Sequence, residues 1–114
     1  MAIERHGTTQ RYSDICAYGN SIYLVETPQT LDANVATQTR EVLAGVEKLL
    51  EQAGSDKSRL LMVTIYLRDI SDAIAVNAVW DRWVPRGTAP ARICIEAKLT
   101  HHDFLLEVAV IAAR

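Results

Sequence analysis

Arg92 lies in the run Pro90-Ala91-Arg92-Ile93-Cys94-Ile95-Glu96, where every second residue is apolar. A guanidinium cannot shed its proton, so an arginine inside a strand must find an anion. Its planar fork matches a carboxylate through two parallel hydrogen bonds. That anion is either a glutamate on a neighbouring strand or a ligand carboxylate. Glu107, between Leu106 and Val108, is a second charged residue in an apolar setting. A carboxylate so placed can hold or activate a water, or simply pair with Arg92 or Lys98. A tight hairpin closed by Thr100-His101-His102-Asp103 predicts Glu96 nearly opposite Glu107, with Arg92 further along the same face. Asn77 interrupts an apolar helical stripe, and a buried amide there must satisfy its hydrogen bonds, most simply by bracing a loop or strand backbone. Cys94 shares the face of Arg92, as a small core residue or a pocket-lining one. His101-His102-Asp103 has the residue types of a metal site. Adjacent turn side chains diverge, however, and no further ligands have supporting spacing, so the segment reads as a solvated turn and no metal site is expected. No Ser-His-Asp motif and no glycine-rich phosphate loop is present.

The elements that must position these residues follow from periodicity. Tyr12–Tyr18 and Ile22–Val25 flank the turn signal Gly19-Asn20 and predict a hairpin. Residues Val35, Thr39, Val42, Val46, Leu49 and Leu50 recur at three- and four-residue steps, predicting a helix over Val35–Ala53. Asp32 or Asn34 suits its start and Gly54 its end. The short, β-branched run Leu60–Leu67 predicts a buried strand. Ser71 is placed to cap a second helix running to Val84, with Ala73, Val76, Asn77, Trp80, Trp83 and Val84 on one stripe. Strands over Ala91–Leu99 and Phe104–Ala112 complete the order β-β-α-β-α-β-β. This is an α+β chain with two helices on one face of a mixed sheet, which leaves the other face needing a cover. A partner subunit is the simplest one.

The chain has 114 residues, which fits a single domain over 1–114. With 49% hydrophobic and 23% charged residues it can fold on an ordinary core, without disulfides. Cys16 and Cys94 are far apart in sequence and read as free thiols in a reducing compartment. The formal net charge of -2 provides no basic surplus for binding a phosphate backbone, so a nucleic-acid partner is not expected. No apolar run approaches the roughly 20 residues of a membrane helix, and the N-terminus carries no signal core. A cytoplasmic protein is the expectation.

Pro90-Ala91-Arg92-Ile93-Cys94-Ile95-Glu96 closely resembles the P-A-R-x-x-[VI]-E signature of the Rid (reactive intermediate deaminase, YjgF-type) family. Matches in the same order are Gly19-Asn20, Gln38-Thr39, Ala53-Gly54, Val63 to Asp69, Val76-Asn77 and Leu106-Glu107-Val108. The resemblance spans nearly the whole chain, with spacing most like the shorter, YoaB-like branch. It implies a chorismate-mutase-like fold and a homotrimer with sites between subunits. The implied reaction is hydrolysis of reactive 2-imino acids or their enamine tautomers, such as 2-aminoacrylate and 2-iminobutanoate, to 2-keto acids and ammonia. No metal or organic cofactor is implied. By resemblance, Arg92 grips the substrate carboxylate and Glu107 positions the attacking water. Cys94 lines the site, Tyr12 closes the pocket, and Asn77 has a structural role.

The sequence departs from the family at Leu24-Val25-Glu26-Thr27-Pro28. Many members carry a [ST]-[SAG]-G-Q-like segment there, with a small hydroxyl residue and a glycine. Pointing inward, Glu26 could neutralise Arg92 or repel a substrate carboxylate; pointing outward, it costs only backbone freedom. Three functions stay open: the general deaminase, a non-catalytic trimer that binds a small molecule or a partner, and a deaminase specialised for another imine or enamine in a degradation pathway. A ribonuclease is disfavoured by the acidic balance.

Overall fold

A computed structural model describes residues 1–114. Its elements are β1 (Ile3–His6), β2 (Ile15–Tyr18), β3 (Ser21–Glu26), α1 (Val35–Gln52), β4 (Leu60–Leu67), α2 (Ala73–Trp83), β5 (Ala91–Glu96) and β6 (Leu106–Ala113). The strands form one mixed six-stranded sheet in the order β1-β2-β3-β6-β4-β5. All neighbours are antiparallel except β4 and β5, which run parallel. The expected α+β class and the mixed sheet with two helices are therefore observed.

Period-two burial assigns the faces. Ile22, Leu24, Val63, Ile65, Leu67, Leu106, Val108, Val110 and Ala112 are all buried and register with one another across β3, β6 and β4. Against them pack Val42, Val46 and Leu50 of α1 and Val76 and Trp80 of α2. Each fully buried aliphatic side chain contributes about 1.5–3 kcal/mol. The opposite face carries Tyr23, Val25, Ile93 and Ile95, all more than 40% exposed, and no element of the chain covers it.

α1 begins and ends as its sequence demands. Asn34 accepts a hydrogen bond from Thr37 N at 2.9 Å, so it is the cap rather than Asp32. Gly54, at φ +84°, ends the helix in the left-handed conformation, with Ser55 N donating to Leu50 O and Gly54 N to Glu51 O. At α2 the expectation of Ser71 as cap is overturned. Asp69 takes both the Ser71 amide and hydroxyl, which folds Ile70–Asp72 into a 3-10 turn before the helix starts at Ala73. The first strand, β1, was not expected. All four of its residues are exposed, so it lacks the apolar alternation that would reveal it, and it is added to β2 by backbone pairing.

The C-terminal half corrects a second expectation. β5 and β6 are not a hairpin, because β4 lies between them. Ala97 N still bonds Leu67 O, and Arg68 N bonds Leu105 O, so the connection passes over the end of β4. The reason lies in composition. β6 alternates buried and half-buried along its full length and belongs in the centre, whereas β5 carries charge on its helix-facing side and goes to the edge.

Gln38 fixes that crossing. It is fully buried; Nε2 donates to Thr30 O and Asp103 O, while Oε1 accepts from Leu105 N at 2.9 Å. Replacing it by leucine leaves three backbone groups without their partner inside the crossing. Gln38→Leu should therefore cost about 2–4 kcal/mol in urea unfolding, far more than an exposed glutamine such as Gln52 would.

Candidate functional site

The side chains of β5 divide between the two faces of the sheet. Arg92 registers with buried Val63, and Cys94 with buried Ile65, so both face the helices; Ile93 and Ile95 face away. The predicted alternation is observed through Glu96, where the strand stops. Arg92 is thereby held between the edge strand and α2. Its Nη2 donates to Asn77 Oδ1 at 2.8 Å. Its guanidinium carbon lies 5.2 Å from the centre of a Trp80 ring. Its Nη1 is buried and has no hydrogen-bond partner. No carboxylate lies within ion-pair distance of it. Within its own chain, Arg92 is therefore not one half of an ion pair.

The carboxylates expected near Arg92 are elsewhere. Glu96 accepts a hydrogen bond from Ile70 N at 3.0 Å. Glu107 registers with Tyr66 on β4 and lies on the open face, opposite to the side Arg92 faces. The shared surface of Glu96, Glu107 and Arg92 does not exist within one chain, because it required the hairpin that β4 prevents. Tyr12 stands in the loop before β2 and is 62% exposed, at the far end of the sheet from β5. Asn77 braces a side chain, Arg92, and not a backbone segment.

Glu26 lies on the helix side, registered with buried Val108. Its carboxylate packs against Gly45 of α1, where any Cβ would meet Glu26 Oε2 at 2.5 Å. Strands β6 and β4 separate it from β5, a lateral distance of about 14 Å at ordinary strand spacing. It does not neutralise Arg92 of the same chain. Burial raises the pKa of its carboxyl above the usual 4.5; the Thr27 amide opposes this and nearby Asp14 adds to it.

Two hollows are prominent on the single chain. A wide cleft of about 960 Å³ opens at the ends of β4 and β5 between Asn34, Arg68, Asp69, Glu96 and Lys98. A smaller groove of about 320 Å³ crosses the open face over Cys16, Tyr23, Met62, Thr64 and Ile111. Neither contains Arg92. His101 and His102 stack at 5.0 Å in the β5–β6 connection, and no group of three or more His, Cys, Asp or Glu side chains converges to hold a metal. Cys16 and Cys94 are free thiols.

Trp80 was read from sequence only as part of the apolar stripe. Its place under Arg92 was legible in one respect, since it lies three residues beyond Asn77 and so on the same helix face. Nothing in the pattern of β5 said that Arg92 would face that helix.

These features define a small α+β protein built on a mixed sheet with one open apolar face and an uncompensated arginine on its edge strand. The sequence model of the family described as endoribonuclease L-PSP matches residues 3–114. The chain belongs to this family, the YjgF/Rid family. It is 38% identical over 113 residues to the RutC family protein YoaB of Escherichia coli strain K12, covering 99% of each chain. A member of the YjgF family from Neisseria meningitidis, solved by crystallography, superposes with a TM-score of 0.94 at 39% identity, covering 100% of this chain and 96% of that one. An uncharacterised protein from Pseudomonas aeruginosa superposes with a TM-score of 0.96 at 34% identity, covering 99% of both. No helix is long and apolar enough to cross a membrane.

Glu26 generates a pH prediction. A carboxyl whose folded pKa is raised favours folding most when protonated, below its ordinary value of 4.5, and that contribution is lost as pH rises through the raised value. Glu26→Gln removes the charged form. The variant should be more stable than the parent at pH 7, and thermal melts should converge as pH falls through the raised value to below 4.5. A stability difference that does not change with pH would refute this account of Glu26.

Proposed function

We propose that this protein is a deaminase that hydrolyses small 2-imino acids and their enamine tautomers to 2-keto acids and ammonia, working as a cytoplasmic homotrimer. The observation that carries the reading is Arg92: a half-buried cation with no carboxylate in its own chain and a buried Nη1 without a partner. A ligand carboxylate supplies the missing anion. The substrate's C=N carbon is already electrophilic, so orientation and a held water suffice. Water oxygen adds to that carbon while one of its protons passes to nitrogen, and the proton of the resulting hydroxyl follows it. The C–N bond then breaks to leave the keto acid and ammonia, with no change in oxidation state. Glu107 is the group to orient the water, with Cys94 beside Arg92 lining the site.

The assembly follows from the division of these residues. Arg92 and Cys94 lie at one edge of the sheet, while Tyr12 and Glu26 lie towards the other and Glu107 is on the open face. One chain cannot bring them together; neighbouring copies, packed through the open faces, can. The exposed Tyr23, Val25, Ile93 and Ile95 supply the apolar surface for that packing. Although the family carries the name of an endoribonuclease, the net charge of -2 favours a small anionic substrate over RNA.

A coupled assay tests the chemistry. A dehydratase generates 2-aminoacrylate or 2-iminobutanoate, and keto acid formation is followed with and without this protein. Acceleration is expected, falling roughly hundredfold in Arg92→Ala as two charge-assisted hydrogen bonds are lost. A folded protein that gives no acceleration sinks the reading. The second reading, a binding protein without turnover, is favoured by Glu26 in place of the family's small residues. It predicts carboxylate binding with no keto acid.

Sedimentation tests the assembly. Ile95→Glu places a charge on the open face and should convert a trimer into folded monomers that have lost deaminase activity. A parent protein that sediments as a monomer, or a variant still trimeric, would refute that arrangement.

A further inference from the structure

We propose that Asn77 and Trp80 form a neutral clamp that fixes the Arg92 guanidinium without discharging it, so that its full charge is reserved for a small carboxylate ligand. The inference rests on the reading of Arg92 as a carboxylate grip and identifies what holds that grip in place. A half-buried guanidinium can be held by a carboxylate, by an amide oxygen or by an aromatic face. Arg92 has the last two and not the first.

Both clamp residues come from α2, at i and i+3, and so from one face of one rigid element. Trp80 is only 5% exposed and packs against Trp83, with ring centres 5.6 Å apart, so its position is set by the core. Asn77 follows Val76, which is 1% exposed and anchors the same turn. The Asn77 amide occupies Nη2, the indole covers one face of the ion, and Nη1 is left without a partner.

The identity of residue 77 is the informative point. If Arg92 were only structural, an aspartate at this position would serve better. It differs from asparagine by one atom, would accept the same hydrogen bond and would neutralise the buried charge. Asparagine gives geometry without charge. Asn77 and Trp80 are thus positioning residues for the carboxylate grip; neither is assigned contact with the reacting atoms.

The experiment uses Asn77→Asp, Trp80→Leu and Trp80→Phe in the intact protein. Binding of 2-oxobutanoate is measured by calorimetry, alongside deaminase kinetics, thermal melts and the Arg92 Nε–H resonance. Asn77→Asp is expected to melt at or above the parent temperature while weakening 2-oxobutanoate binding and raising KM by roughly tenfold or more, with kcat changed less than about threefold. Trp80→Leu should abolish the ring-current shift of the Arg92 Nε–H and weaken binding by about tenfold, and Trp80→Phe should restore most of both. An Asn77→Asp variant that loses stability and binding together overturns the clamp, as does an Arg92 resonance that Trp80→Leu leaves in place. A parent protein that binds 2-oxobutanoate but turns over no imine, with the variants behaving as expected, removes the deaminase reading and leaves the clamp standing. A parent that binds no 2-oxobutanoate overturns both.

Discussion

A positive charge that cannot be removed is placed between an edge strand and a helix, and its surroundings are arranged around that constraint. Desolvating a guanidinium without a counterion is expensive, and one of its nitrogens has no partner at all. The fold limits the cost in three ways. β5 is the outermost strand, so Arg92 is only half buried. An amide oxygen satisfies one nitrogen. An indole face provides a region of negative potential over the ion. What remains is a cation held at a fixed position with no anion from its own chain.

The same constraint explains why β5 sits at the edge. Its helix-facing side holds Arg92, Cys94 and Glu96, a poor surface for the centre of a core. β6, which alternates Leu106, Val108, Val110 and Ala112 toward the helices, takes the central position beside β4. The chain must therefore cross the end of β4 between the two strands, and buried Gln38 staples that crossing at Asp103 and Leu105. Displacement of β5 from β6 separates Glu107 from Arg92. With Ile93 and Ile95 turned to the open face, the strand that carries the arginine also contributes to the exposed apolar surface there. The separation of Glu107 from Arg92 and the apolar character of the open sheet face are then two consequences of one strand's composition.

Local signals in the sequence were strong wherever one physical rule acted alone. Helix α1 was legible in its stripe, in a cap narrowed to Asp32 or Asn34 and in its Gly54 terminus, and β4 was bounded at Leu60 and Leu67 by its run of large apolar residues. Arg92 stood out because charge in a strand has few explanations. The errors arose where pairing at a distance decided the outcome. Nothing between Glu96 and Leu106 reports that β4 will lie between the strands they bound, and the short polar segment Thr100–Asp103 imitates a hairpin turn. β1 was invisible because an exposed edge strand needs backbone hydrogen bonds and no apolar pattern. Trp80 was legible as core but not as a floor for a cation, since its partner comes from another element.

Glu26 brings a carboxylate into a crowded part of the fold, and its surroundings show how it is accommodated. A carboxylate entering from β3 would collide with a side chain at the middle of α1; residue 45 is glycine, and the space is left for the carboxylate oxygens. Helix-interior glycine costs roughly 1 kcal/mol relative to alanine, so Gly45 carries a local cost where Glu26 needs room. The acid is then half-buried, bonded to the Thr27 amide and biased toward its neutral form. Turned against α1, it leaves Arg92 of the same chain uncompensated. Glu26 and Gly45 are therefore matched across β3 and α1, an arrangement made without drawing on the charge of Arg92.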